Sequence, residues 1–266
     1  MGFEPTSRFS GRVILVTGGG SGIGLAIARR FAAEGARVVL LGRDGRRLAE
    51  AAADIGSDTL TQPCDISDRD GPQAAVDVIL DRLGRIDVLI NNAGNVAGGP
   101  VLEETVESLN ATMATDVAGT LLMSQSAARA MSVNDGGVII NNGSVYARAG
   151  AVGALNLSVA KSAIVAMTRT MAIEFAPLGI RVNAVSPGWV DLEEKMTRYF
   201  GADTLAYMRG SFERTPLRRL VHPDEVAATF AFLASDDASA ITGQEIVVDA
   251  GLSANLFVQE TLPVPS

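Results

Sequence analysis

Residues 12–24 read RVILVTGGGSGIG, a run of branched apolar residues that passes without a break into a glycine-rich turn. So short and continuous an apolar run suits a strand buried on both faces of a parallel sheet. Beyond it, Ile23, Ile27 and Phe31 recur every four positions and read as a helix that stops at Gly35. A glycine turn between a strand and a helix is the setting in which such turns hold phosphate. Gly18 permits the tight turn, Gly22 lets a pyrophosphate approach the backbone, and Gly24 lets the helix pack close to the sheet. Ser21 and Ile23 lie among these glycines, where the first N–H groups of the helix point at the ligand. The spacing is Gly-x-x-x-Gly-x-Gly, one residue longer in its first gap than the common dinucleotide pattern.

The same alternation continues along the chain. ARVVLL (36–41), RIDVLI (85–90), GVII (137–140) and IRVNAV (180–185) read as buried strands. A weaker strand falls near 59–62, and EIVVD (245–249) supplies a seventh. Ser67 with Asp70 is expected to open a helix that runs to Leu83 and closes at Gly84. The predicted fold is α/β: a Rossmann-type, doubly wound parallel sheet with helices on both faces, in one domain spanning 1–266.

Composition narrows the partners. The 266 residues carry a formal charge of −8 and a pI near 4.8, which argues against nucleic acid or an anionic membrane surface as a partner. No apolar run approaches the ~20 residues of a membrane span. Met1-Gly2 with Thr6 fits a loose myristoylation pattern, and the reading preferred here is a flexible start without a secretory signal. A lone cysteine, Cys64, fits a reducing compartment, so a cytoplasmic location is expected. No His, Cys and carboxylate cluster has metal-ligand spacing, and no metal is expected.

TGGGSGIG (17–24), NNAG (91–94), Ser144, Lys161 and SPGWV (186–190) occur in an order that resembles the short-chain dehydrogenase/reductase superfamily. The resemblance covers about residues 10–251 and ends on ITGQEIVVDAG (241–251). It implies a nicotinamide dinucleotide bound along Gly18–Gly24, with Asp65 and Ile66 at the adenine ring and Asn92, Ala93 and Gly94 passing the adenosine ribose. Pro187, Gly188 and Val190 would line the cofactor, and Trp189 the substrate pocket. Residues 191–218 would form a substrate lid, and the segment 252–266 a tail that reaches a neighbouring subunit. Helices around 101–130 and 152–176 would form a four-helix contact, giving a homodimer or homotetramer.

The second strand ends VVLLGRD, with Gly42 where a carboxylate would bind the ribose 2′-hydroxyl and Arg43 next to it. A guanidinium pairs with a 2′-phosphate, so NADP(H) is favoured over NAD(H). Asp44 argues weakly the other way unless it serves as a helix cap.

At the reaction centre the resemblance implies a serine at the substrate oxygen, a tyrosine that transfers its proton, and a lysine four residues later on the nicotinamide ribose. Ser144 and Lys161 match, but Leu157 stands at the tyrosine position and has no proton to give. Asp116, in TDVAG (115–119), takes the place of the supporting asparagine, and Leu192 that of a threonine at the carboxamide. Four readings stay open. Tyr146 or a protonated Asp116 acts as the acid; the substrate, a small, apolar, cyclic enone, quinone or imine, needs no proton at that point; the domain binds nucleotide without turnover; or the fold hosts a cyclisation or isomerisation. An introduced exchange at position 157 is a further alternative. His222 reads as a helix cap and Arg148 as a surface cation.

Overall fold

The computed structural model describes residues 7–56, 58–95 and 98–255. β1 (Val13–Thr17) pairs in parallel with β2 (Arg37–Gly42) on one side and with β4 (Val88–Asn91) on the other. β3 (Leu60–Pro63) flanks β2, while β5 (Gly137–Asn142), β6 (Ile180–Pro187) and β7 (Glu245–Val248) extend beyond β4. The product is a seven-stranded parallel sheet in the order β3-β2-β1-β4-β5-β6-β7, with Rossmann-like topology. Its strand order reverses between β1 and β4, and a crevice opens there at the carboxyl ends of the strands.

Both faces are covered because successive strand residues point opposite ways. Ile14 and Val16 enter a layer with α1 (Gly22–Ala33), α2 (Gly45–Ile55) and α9 (Pro223–Ala234). Val13 and Leu15 enter the other, with α3 (Gly71–Leu83), α5 (Thr120–Met131) and α6 (Leu155–Phe175). Each such side chain is almost fully buried, which stabilises the fold by about 2 kcal/mol per residue before chain entropy is counted.

Several boundaries differ from those read in the sequence. The run RIDVLI becomes a strand only at Val88, because the Asp87 carboxylate accepts the Val13 N–H at 2.8 Å and the Arg85 guanidinium at 3.0 Å. The helix expected from Ser67 and Asp70 starts at Gly71, and Asp70 makes no side-chain cap; Ser67 instead donates to Asp65 at 2.7 Å. The region 101–130 holds a short α4 (Val106–Thr112), then a wider π-helical stretch (Met113–Gly119) that runs into α5. His222 does cap α9, accepting the Asp224 N–H at 3.3 Å. Arg148 is half-exposed and pairs with Glu245 at 2.7 Å.

Residues 191–218 contain α7 (Glu193–Phe200) and α8 (Ala202–Gly210), followed by a return without helix. Met196, Leu205, Met208, Phe212 and Leu220 form a small apolar cluster of their own there. The myristoylation pattern at Met1–Thr6 and the tail beyond Asn255 lie outside the described residues.

The segment before β1 is tied to the end of α1. Phe9 packs edge-on against Phe31 at 4.9 Å, and the fully buried Glu34 carboxylate accepts Arg8 at 2.6 Å and also pairs with Arg30. Burial alone would raise the Glu34 pKa, but the hydrogen bonds from Arg8 and Arg30 outweigh it and hold the carboxyl below its usual range. That stabilisation is complete above the unfolded carboxyl pKa of about 4.3 and is lost as pH falls through the lower folded value. Glu34→Ala should cost about 1–2 kcal/mol in urea unfolding at pH 7, with a deficit that shrinks in acid, since both guanidinium partners are part-open to solvent. An equal deficit at pH 7 and well below the folded pKa would contradict this.

Candidate active site

The glycine turn works as its spacing requires. Gly18 and Gly22 hold positive φ angles of 64° and 56°, where a side chain would be strained. A Cβ on Gly24 would come within 2.3 Å of the Gly18 carbonyl oxygen. Ser21 makes no side-chain cap, so the first N–H groups of α1 stay open towards the crevice. The Thr17 hydroxyl fixes the turn against the exit of β4, accepting from the N–H groups of Asn92 at 2.9 Å and Ala93 at 3.0 Å. Asn92 answers by donating to the Thr17 carbonyl at 3.0 Å. These contacts hold the turn close against β4, and a side chain at Gly24 would force the two apart.

A cleft of about 270 Å³ continues from the turn, bordered by Ser21, Arg43, Arg47, Asp65, Ile66 and Gly94. A second hollow, of about 210 Å³, lies at the opposite end of β1 beside Gly11 and Arg85 and touches none of these residues. Asp44 spends its carboxylate on the N-terminus of α2, accepting the Arg47 N–H at 3.1 Å. Arg43 and Arg47 are both exposed on the rim of the cleft. Asp65 accepts from the Ser67 N–H and hydroxyl; the hydroxyl bond is the main reason its carboxyl sits below the usual range. Ile66 is buried against Gly119, where any Cβ would collide with it at 2.8 Å.

Deeper in the crevice lies a buried ion pair. Lys161, on α6, donates to the Asn142 carbonyl at 2.9 Å, and its Nζ stands 3.4 Å from Asp116 Oδ2. Asp116 is fully enclosed, and its other oxygen accepts the Asn95 N–H at 2.6 Å. A Cβ on Gly94 would press to 2.9 Å from the carboxylate, so glycine there makes room for it. Burial pushes the Lys161 ammonium down, and Asp116 only partly offsets that.

The remaining predicted residues come from the segments that follow β5 and β6 and from α6. Ser144 follows β5, half-buried, and accepts the Tyr146 N–H at 3.2 Å. Leu157 sits one turn before Lys161, half-buried and in none of the three apolar clusters. Burial pushes the Tyr146 phenol up, with partial relief from the Trp189 indole and from Arg214. Trp189 packs against Phe200 and Phe212 at 5.3 and 5.6 Å. The Leu192 methyls lie 3.6 and 3.8 Å from where a Cβ on Gly22 would stand, so the start of α7 covers the glycine turn. Pro187 ends β6, Gly188 packs on Asp249, and the Val190 side chain enters the core while its carbonyl accepts the Leu192 N–H at 2.9 Å.

Sequence reading overlooks Lys195. It lies exposed in the first turn of α7, and its ammonium is pushed down by crowding and then by the charge of Lys161. Its three-residue spacing from Leu192 is the signal that would have found it. Among the described residues no three His, Cys, Asp or Glu group to hold a metal, and no helix is long and apolar enough to cross a membrane.

Residues 18–253 match the family described as Enoyl-(Acyl carrier protein) reductase. The chain is 38% identical over 250 residues to meso-2,3-butanediol dehydrogenase of Serratia marcescens, covering 93% of this chain and 97% of that one. It is 37% identical over 249 residues to cis-4-hydroxycyclohexanecarboxylate dehydrogenase of Sinomonas cyclohexanicum, covering 92% and 98%. A citronellol catabolism dehydrogenase of Pseudomonas aeruginosa PAO1 has a similar structure, with a TM-score of 0.82 at 34% identity over 93% of this chain and 97% of that one. The protein belongs to the short-chain dehydrogenase/reductase family, whose members use nicotinamide dinucleotides.

Cys64 borders the same cleft, and burial, with Asp65 and Asp68 nearby, pushes its thiol up to about 11. Roughly one thiol in a thousand is then ionised at pH 8. Iodoacetamide should label it slowly at pH 8 and faster towards pH 10, and saturating dinucleotide should slow it further; complete labelling within minutes at neutral pH would contradict the burial.

Proposed function

We propose that the protein is an NADP(H)-dependent oxidoreductase acting on a small, largely apolar, cyclic ketone, enone, quinone or imine. Supporting the choice of NADP(H), two guanidinium groups, Arg43 and Arg47, flank the adenosine end of the cleft, while the two nearby carboxylates are engaged, Asp44 in capping α2 and Asp65 with Ser67. Once bound, the dinucleotide would supply or accept hydride at its nicotinamide ring. Ser144 would hydrogen-bond the reacting oxygen, and Leu157 and Leu192 would form an apolar wall.

The observation that carries this reading is the buried Lys161–Asp116 pair beneath an intact glycine cradle. Burying two charges is costly, and a site that only bound nucleotide would gain little from keeping them. Leu157 takes the place of the family's tyrosine, so proton delivery passes to Lys161, whose depressed pKa eases release from the ammonium. Tyr146, with its raised pKa, keeps its hydrogen at neutral pH and would serve as a donor to the substrate rather than as a base. Leu157 also favours a second reading, a nucleotide-binding protein without turnover.

We infer further that residues 191–218 act as a lid on a single domain. Leu121, Val159 and Ile173 are exposed on α5 and α6, which supports pairing of these helices in a homodimer or homotetramer. A cytoplasmic setting fits the single, buried Cys64.

NADPH should bind more tightly than NADH, and its oxidation should be seen with at least one class in a panel of ketones, enones, quinones and imines. Tight NADPH binding with no turnover would reject the oxidoreductase reading in favour of the second. Leu157→Tyr should raise simple ketone reduction about tenfold or more by returning a hydroxyl acid to the centre; an unchanged rate would place position 157 away from the chemistry.

A further inference from the structure

Ala93, Gly94 and Thr115 border one side of the cleft, and Asp116 is the residue after Thr115. Its carboxylate lies against Gly94, where a Cβ would stand 2.9 Å from Oδ2. A glycine, with no side chain to add distance, therefore stands between this charge and the cleft. The two carboxylate oxygens are unevenly matched. Oδ1 accepts the Asn95 N–H at 2.6 Å, whereas Oδ2 is enclosed, makes no hydrogen bond and faces Lys161 Nζ at 3.4 Å. The ammonium is shared, since it also donates to the Asn142 carbonyl at 2.9 Å. A pair this long, with its cation divided between two acceptors, leaves part of the carboxylate field uncancelled.

The sequence resemblance implies a neutral asparagine where Asp116 stands. Replacing an amide by a carboxylate of nearly the same shape adds one negative charge and almost no volume. The other two departures, Leu157 and Leu192, are uncharged and do not offset it. Lys195 and Arg214, on the segment over the crevice, are exposed, so solvent and salt screen their charges. Asp116 has no exposed surface, and its field is screened far less.

The oxidised and reduced forms of a nicotinamide dinucleotide differ by one positive charge, carried on the ring. Arg43 and Arg47 flank the adenosine end, which is identical in the two forms, and contribute equally to both. Lys161, which the resemblance places on the nicotinamide ribose, marks the end where the forms differ, and Asp116 is its neighbour.

We propose that Asp116 selects the redox state of the dinucleotide, favouring the oxidised, cationic nicotinamide over the reduced, neutral one. The proposal rests on the reading that the cleft takes a nicotinamide dinucleotide with its ring beside Lys161. A unit charge roughly 8 Å away in a partly buried site shifts such a preference by about tenfold. One consequence is that the oxidised form leaves slowly and acts as a strong product inhibitor of reduction.

Calorimetric titration of the full chain with the oxidised and reduced forms of NADP, and of NAD, reads the preference without turnover. The 2′-phosphate cancels in the ratio, so either pair that binds supplies it. Titration near pH 6 keeps the Lys161 ammonium protonated when its carboxylate partner is removed, since Asp116 is what raises its pKa against burial. The parent is expected to bind the oxidised form at least as tightly as the reduced one; tighter binding of the reduced form would overturn the proposal. Asp116→Asn should move the ratio about tenfold towards the reduced form, and by a similar factor at low and high salt, as a buried charge requires. A ratio left within about twofold of the parent in a folded Asp116→Asn variant would equally defeat it. If that variant fails to fold, the parent ratio alone decides. Binding of the NAD forms without the NADP forms would reject the choice of NADP(H) and still give the ratio, whereas no binding of any form would reject the dinucleotide reading and this proposal together.

Discussion

Two opposite charges, Lys161 and Asp116, are buried at the point where α6, the π-helical stretch and the ends of β4 and β5 converge. Each ion alone would cost several kcal/mol to bury. The surroundings answer that cost: the Asn142 carbonyl takes the ammonium, the Asn95 N–H meets the carboxylate, and Gly94 clears the space between. The wider helical turn suits this arrangement, since an extra residue per turn displaces side chains from the ordinary α-helical register, and such turns recur at functional sites. The crevice floor is therefore polar and fixed, while its roof over the glycine turn is the apolar Leu192.

Polar contacts at the strand ends spread from this centre. Asn142 donates to Asn92 at 3.1 Å, and Asn92 ties the glycine turn through Thr17. Beneath them Asn91 donates to Asn141 at 2.9 Å, and Asn141 to Thr168, so the sheet is cross-linked to α6 on the side away from the cleft. The cradle for pyrophosphate and the buried pair thus belong to one hydrogen-bonded layer. A change at Asn142 or Asn92 would be felt in both places.

How much of this the sequence displays follows from the range of the forces involved. Strand runs such as RVILV are legible because burial on both faces demands unbroken branched apolar residues, and all seven expected strands form. The glycine turn is legible because its geometry tolerates no Cβ at Gly24. Boundaries set by long-range partners are not: the start of β4 depends on Asp87 reaching Val13, which lies far away in the chain. Ser67 looks like a helix cap by spacing alone, but Asp65 claims its hydroxyl. Within the site, Ser144, Lys161 and Asp116 are marked by motif. The partners that decide their state, Asn95 and the Asn142 carbonyl, come from other segments and carry no local signature.

The account stands or falls on what the buried cation does when a dinucleotide occupies the crevice. A crystal structure of the protein with NADPH measures that directly. An ordered nicotinamide ribose hydrogen-bonded to the Lys161 ammonium, with Asp116 still its counter-ion and Leu157 beside the ring, is the predicted result. A nicotinamide half excluded from the crevice, with Lys161 locked on Asp116 and turned from the ribose, would contradict it.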